Sequence, residues 1–230
     1  MGVRAIMFDL DGSLADTERL HFEAYKIVLG GEGIELAADD YFSRLIGHSD
    51  HDCFALLLRE HQKPAGKARI KQLIAQKTTI YQAIAAERAV FFPGAAEFVR
   101  RCAERFPLAL VTGTLRMEAE LLLRKGQIRE LFAEIVAAED VERGKPAPNG
   151  FTLALARLRF VLRQERLIAA EECLAIEDTC AGVTAARQAG MRVLAVAQTV
   201  APAELASAEL VRPSLADINL NEVLELLAST

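Results

Sequence analysis

Four short polar clusters carry residue types suited to phosphate chemistry, and each follows directly on an apolar run. The first, Asp9-x-Asp11-Gly12-Ser13-Leu14-x-Asp16, sets two carboxylates two residues apart, able to face one cleft once the chain leaves a regular pleat. The second, Thr112-Gly113-Thr114, offers a hydroxyl and backbone N–H groups beside a helix start, a combination that suits a phosphate. Lys145-Pro146, within Gly144-Lys145-Pro146-Ala147-Pro148, joins a point charge for a phosphoryl group to a backbone fixed by proline. In Glu177-Asp178-Thr179, adjacent carboxylates supply hard oxygen ligands suited to Mg2+. Each cluster also has a plainer account. Asp and Gly make turns, Thr and Asp cap helices, and a lysine is commonly a solvated surface charge. Those accounts serve one at a time, but not for four clusters in succession, each closing an apolar run.

The elements that must hold these clusters follow from periodicity. Val3 to Phe8 is a short apolar run that reads as a buried strand, with Asp9-Leu10-Asp11-Gly12 as its terminating loop. From Asp16 to about Ala86 the pattern is helical throughout, with segments at Glu18 to Leu29, His51 to Glu60 and Lys67 to Ala85 and a break at Pro64-Ala-Gly66; no strand is expected there. After Phe91-Phe92-Pro93-Gly94 the pattern changes. Strands are expected at Leu108 to Val111, Glu134 to Ala137, Cys173 to Ile176 and Arg192 to Val196. They alternate with helices at Ala95 to Arg105, Arg116 to Lys125, Phe151 to Leu162 and Ala181 to Ala189, and a last helix runs near Asn219 to Leu227. Such alternation predicts an α/β fold with a parallel sheet and helices on both faces. The division expected is an α/β core of residues 1–16 and 90–230 with an all-helical insert at 17–89. Ligands of such sheets sit at the carboxyl ends of the strands, where the four clusters fall.

The 230 residues suffice for such a core plus a smaller module. About half are hydrophobic and 26% are charged, with a net charge of −5 and no basic run, which excludes a nucleic-acid surface. Cys53, Cys102, Cys173 and Cys180 form no C-x-x-C pair and suit neither a zinc site nor a disulfide scaffold. Cys180 is expected to be a small packing residue. The start, MGVRAIMFDLDG, is too short and too charged for a signal peptide, and no stretch approaches transmembrane length. The expectation is a cytoplasmic protein, a monomer or weak homo-oligomer, with no membrane or nucleic-acid partner.

FDLDGSLADTE, LALVTGT, GKPAP and AIEDTCAGVTAARQAGM, in this order, resemble the four motifs of the haloacid dehalogenase-like (HAD) superfamily, and FFPG resembles the return from its cap. Within that superfamily the chain is similar to the β-phosphoglucomutase-like and sugar-phosphate phosphatase branch over nearly its whole length. The resemblance implies a Rossmann-like core with an inserted helical cap, and roles residue by residue. Asp9 would attack phosphorus to form an aspartyl phosphate, and Asp11 would protonate the leaving alcohol and then activate water or a second alcohol. Thr112, with Gly113, and Lys145 would hold the transferring phosphoryl group. Mg2+ would be bound by Asp9, the Asp11 carbonyl and Asp178, with Glu177 as a further partner. On the cap side, His21, Lys77, Gly47 and Ser49 match substrate-side positions of the branch.

Three departures bear on the reaction. Asp50 stands where the mutases carry an arginine that grips the non-transferring phosphate, and Met117 where they carry an asparagine. Asn149 replaces the Asp that usually follows K-P-A-P, a mild change at a helix cap. The first two favour a Mg2+-dependent phosphatase of a small phosphorylated metabolite, a sugar phosphate above all, over the alternative of a phosphosugar mutase. A non-catalytic binding protein on the same fold is the third reading, opposed by the presence of Asp9, Asp11, Lys145 and Asp178. A dehalogenase or phosphonate hydrolase would have little purpose for Asp11.

Overall fold

Strands in the middle of a parallel sheet are covered on both faces and so consist of unbroken apolar runs. β1 (Ala5–Phe8), β4 (Leu108–Val111) and β6 (Cys173–Glu177) read AIMF, LALV and CLAIE, and every residue in them is buried. With β5 (Phe132–Val136), β7 (Arg192–Val196) and β8 (Leu210–Arg212) they form a six-stranded sheet in the order β5-β4-β1-β6-β7-β8. All neighbouring pairs are parallel. This computed structural model describes residues 2–46, 48–162, 167–216 and 218–228.

The two-residue alternation of the strands divides the core in two. Ile6, Phe8, Leu110 and Ile176 point to one face, where they meet Phe98 of α5 (Ala95–Ala103), Leu122 of α6 (Arg116–Lys125) and Val223 of α9 (Leu220–Ala228). Phe8 lies edge-on to Phe98 and to Phe132, at 6.2 and 6.0 Å between ring centres. Ala5, Met7, Ala109 and Ala175 point the other way, against Phe151 and Leu158 of α7 (Asn149–Leu162) and Val183 of α8 (Cys180–Gln188). The α/β architecture with helices on both faces is the one expected.

Between β1 and β4 the chain departs into a helical unit with an apolar cluster of its own, built on Tyr25, Leu29, Phe54, Leu58, Ile70 and Leu73. Its elements are α1 (Glu18–Gly31), α2 (Ala38–Asp40) running into a π-helical turn at Tyr41–Leu45, α3 (Asp50–Glu60) and α4 (Lys67–Arg88). In α4 the buried residues Leu73, Lys77, Tyr81 and Ala85 recur every fourth position. That interval lays them in one row along a face, with a lysine in the middle of it.

Three strands lie outside expectation. β2 (Ala15–Asp16) and β3 (Val90–Phe91) pair antiparallel where the chain enters and leaves the helical unit. At two residues each they carry no periodicity to read. β8 lies at the sheet edge, half-buried, in a stretch whose alternation is equally short. Cys180 is a correction: it is exposed rather than packed, at the first position of α8, with its Sγ 3.3 Å from the Glu204 carbonyl. Among the described residues no helix is long and apolar enough to cross a membrane.

Candidate active site

The strand order reverses direction at β1, whose neighbours β4 and β6 come from later crossovers on opposite sides. A crevice opens at such a point, outside the carboxyl ends of the strands. The register is level: Phe8 sits opposite both Leu110 and Ile176. Asp9, Thr112 and Glu177-Asp178 therefore emerge side by side, and the Asp9 N–H continues the ladder to the Ile176 carbonyl at 3.0 Å.

Lys145, delivered by the loop before α7, is the cation of this cluster. Its Nζ lies 2.5 Å from Asp9 Oδ1 and 2.6 Å from Glu177 Oε1, with only 9% of the side chain exposed. Asp9, Glu177 and Asp178 are all buried and bring one carboxylate oxygen each within 4.8 Å of the others. Burial, more than anything else, pushes all three carboxyl pKa values up, and mutual repulsion adds to it for Asp9 and Asp178 while Lys145 opposes it for Asp9 and Glu177. The Lys145 pKa is raised: burial works against its charge, but Asp9 and Glu177 outweigh it. Asp178 Oδ1 accepts from Ser13 Oγ at 3.1 Å, while Oδ2 is buried without a hydrogen-bond partner. An orphaned oxygen among crowded carboxylates is what a bound cation would satisfy, and the all-oxygen donor set fits a hard divalent ion. Two glycines make the crowding possible. A Cβ on Gly12, whose φ is +79°, would fall 2.0 Å from Asp178 Oδ2, and one on Gly182 1.9 Å from Glu177 Oε2.

Asp11 faces the helical unit. Its Oδ1 accepts from Thr17 Oγ1 at 2.5 Å and meets His21 Nε2 at 3.2 Å, and its Oδ2 accepts from Thr114 Oγ1. Burial alone would raise this carboxyl's pKa, but His21 and the two hydroxyls outweigh it and hold the group ionised. His21 stacks on Tyr81 at 4.0 Å, and its Nδ1 lies 2.8 Å from Lys77 Nζ. An ammonium donating to Nδ1 leaves the ring hydrogen on Nε2, pointed at Asp11. Lys77 itself is 1% exposed, 3.0 Å from Asp50 and 4.0 Å from Glu118 of α6. Tyr25 donates to the same Asp50 carboxylate at 2.6 Å.

The residues singled out from the sequence thus fall into two groups. Asp9, Asp11, Thr112, Gly113, Lys145, Glu177 and Asp178 stand at the strand ends; His21 reaches Asp11 from α1, and Lys77 of α4 stands behind His21. Thr112 Oγ1 is 3.4 Å from Asp11 Oδ2 and receives the Thr114 N–H at 3.0 Å. Ser49 caps α3 by accepting from the Asp52 N–H at 3.2 Å. Gly47 lies outside the described residues. Met117 is 66% exposed and is not among the residues lining the two cavities over the site. Glu118 was not anticipated. It is fully buried, its carboxylate oxygens have no hydrogen-bond partner, and its pKa is raised to about 7 by burial against the pull of Lys77. It stands four residues before Leu122 on the buried side of its helix, but a lone carboxylate there reads as a surface charge.

This arrangement has counterparts. The family model for haloacid dehalogenase-like hydrolases matches residues 6–196. The chain belongs to that family. Among its relatives, a phosphorylated carbohydrates phosphatase from Thermotoga maritima is 31% identical over 82% of this chain and 82% of that one. A mutant CbbY from Rhodobacter sphaeroides, solved with xylulose-(1,5)bisphosphate, is 28% identical with a TM-score of 0.83, covering 94% of this chain and 96% of that chain. The β-phosphoglucomutase of Clostridium difficile shares the HAD fold at a TM-score of 0.86 and 21% identity, over 99% and 98% of the two chains. Membership of the HAD hydrolases makes this chain an enzyme of that class and implies a divalent metal, for which Asp9, Glu177 and Asp178 are the fitting residues.

Proposed function

We propose that the chain is a Mg2+-dependent phosphatase of a small phosphorylated metabolite, a sugar phosphate above all, acting through an aspartyl phosphate on Asp9. The observation that carries this reading is the convergence of Asp9, Lys145 and the Glu177–Asp178 pair at the switch point of the sheet, with Asp11 alongside. Attack of one anion on another needs the repulsion offset, and Lys145 stands 2.5 Å from the attacking carboxylate to do so. Asp9, the Asp11 carbonyl and Asp178 would hold Mg2+, with Glu177 beside them; the ion supplies charge neutralisation and alignment of the in-line transfer. Thr112 and Gly113 would take the phosphoryl oxygens with Lys145.

Asp11 is held as a carboxylate, the form that removes a proton from water during hydrolysis of the acyl phosphate; donation to the leaving alcohol requires a proton first taken up. Residues 17–89 would form the cap of this enzyme. His21 and Lys77 would orient Asp11 when the cap is closed, and Gly47 and Ser49 would meet substrate. The cleft beneath these helices retains a cavity of about 50 Å³, so the cap must move for a sugar phosphate to enter. The sugar-phosphate assignment draws on the likeness to the phosphorylated carbohydrates phosphatase of Thermotoga and to CbbY solved with a sugar bisphosphate. A mutase is disfavoured because Asp50, fixed by Tyr25 and Lys77, presents a carboxylate where a second phosphate would need a cation. The test is phosphate release from a panel of sugar phosphates with Mg2+. Release by the intact protein, absent in Asp9→Asn, is the expected result; no release from any ester by either protein would sink the reading.

A further inference from the structure

The inner cavity under the cap helices cannot hold a metabolite: at about 50 Å³ it has room for little more than the phosphoryl group and water. A second cavity opens beside it. It shares Asp50, Gly113 and Lys145 with the first and runs between the start of α3 and the loops after β4 and β5. Its volume of about 340 Å³ falls within the range of roughly 300–1,000 Å³ typical of small-molecule sites.

The walls of this second cavity differ from the transfer site. Ile74, Leu115, Ala138 and Val141 make one side apolar. The charged residues around it are predominantly acidic, with Asp50, Asp52, Glu139 and Glu142 on its lining. Lys145 on its lining is committed to Asp9 and Glu177, and the His51 ring lies 3.4 Å from Asp52. Arg116, next to Leu115 in sequence, is turned away and bound to Asp140 and the Ile135 carbonyl. An anion placed here would be desolvated against carboxylates with no free cation among the described lining residues to receive it.

We propose that this second cavity seats the alcohol portion of the substrate, and that it takes an uncharged group with an apolar face while rejecting a second phosphate or a carboxylate. The inference rests on the phosphatase reading and narrows its substrates to monophosphate esters of neutral alcohols. Leu115 is then a specificity-determining residue that supplies apolar lining, while Glu139 and Glu142 supply the charge that repels a distal anion.

The test separates the two halves of the site by binding alone. Asp9→Asn protein with Mg2+ is titrated calorimetrically with inorganic phosphate, phenyl phosphate, glucose 1-phosphate and glucose 1,6-bisphosphate. Inorganic phosphate reports the transfer site and the esters report the second cavity. Both monoesters are expected to bind more tightly than inorganic phosphate, and the bisphosphate at least about tenfold more weakly than glucose 1-phosphate, as like charges brought together in an interface dictate. Adding Leu115→Lys should narrow or reverse that ratio. Adding Ala138→Phe, which fills the cavity, should remove the advantage of the esters and leave inorganic phosphate unchanged. Bisphosphate binding as tight as monophosphate binding, or ester binding indifferent to both substitutions while inorganic phosphate binds, overturns the cavity assignment alone. Failure of inorganic phosphate to bind with Mg2+ takes down the transfer site and this inference together.

Discussion

The sheet side and the helical side of the cleft hold their functional groups by different means. On the sheet side, Asp9 and Glu177-Asp178 are placed by backbone ladders whose register is level to the residue, so their meeting follows from strand pairing. On the helical side, His21, Tyr25, Asp50 and Lys77 come from three helices and meet because an apolar cluster packs those helices together. The first arrangement is rigid and suits bond making. The second depends on how the cap sits, so it suits recognition and gating. Lys77 joins the two sides, being 2.8 Å from His21, 3.0 Å from Asp50 and 4.0 Å from Glu118 of the core.

Substitutions on the sheet side should abolish chemistry without harming the fold. Asp9→Asn removes the nucleophile and one of three crowded carboxylates. Phosphate release should fall by about 10⁴-fold or more, as for other residues that form the covalent bond, with thermal stability equal or higher. A variant that keeps substantial turnover would show that another group attacks phosphorus. Lys145→Ala should lower kcat by about 10²–10⁴-fold, the scale of losing one preorganised charge at the transferring group. The comparison sharpens if its KM changes much less than its kcat.

On the helical side the same kind of change should act on stability as much as on rate. Lys77→Met leaves the buried Glu118 and the half-buried Asp50 without their cation, which should cost about 3 kcal/mol in chemical denaturation. Activity should fall with it, since His21 loses the donor that sets its tautomer. Equal stability would mean that the cap is open in solution. The smallest effect concerns Glu118, whose pKa rises from 4.5 to about 7 on folding. The native state then binds more protons than the unfolded state between those values, so the contribution of Glu118 to stability falls as pH rises from about 4.5 to 7 and stays lost above. Glu118→Gln should flatten that stretch of the stability profile by about 1–3 kcal/mol. An unchanged slope would place Glu118 in water rather than beneath the cap.

Legibility in the sequence divides along the same line. Buried parallel strands announce themselves as apolar runs, so β1, β4, β6 and β7 and the polar residues that end them can be read directly. The motif order then points to the HAD hydrolases. His21 and Lys77 were reached through the resemblance, but their partners were not. The sequence marks Asp50 as a missing arginine and not as the anchor of Lys77 and Tyr25, because those contacts span 27 and 25 residues and depend on how the helices pack. Glu118 and Leu115 sit on one helix start and look unremarkable until the cap covers them. Cys180 was expected inside and lies outside, since its neighbours Ala181 to Ala186 carry the helix face that packs on the sheet.

The most direct test of the account is to look for the phosphorylated Asp9 itself. The intact protein, mixed with Mg2+ and a turned-over phosphate ester, is quenched in acid within milliseconds and its peptides are weighed. The account predicts the added mass of one phosphoryl group on the peptide bearing Asp9, sensitive to hydroxylamine as an acyl phosphate is, and none in Asp9→Asn. Turnover with no label on that peptide at any quench time, or label on another residue, would contradict it.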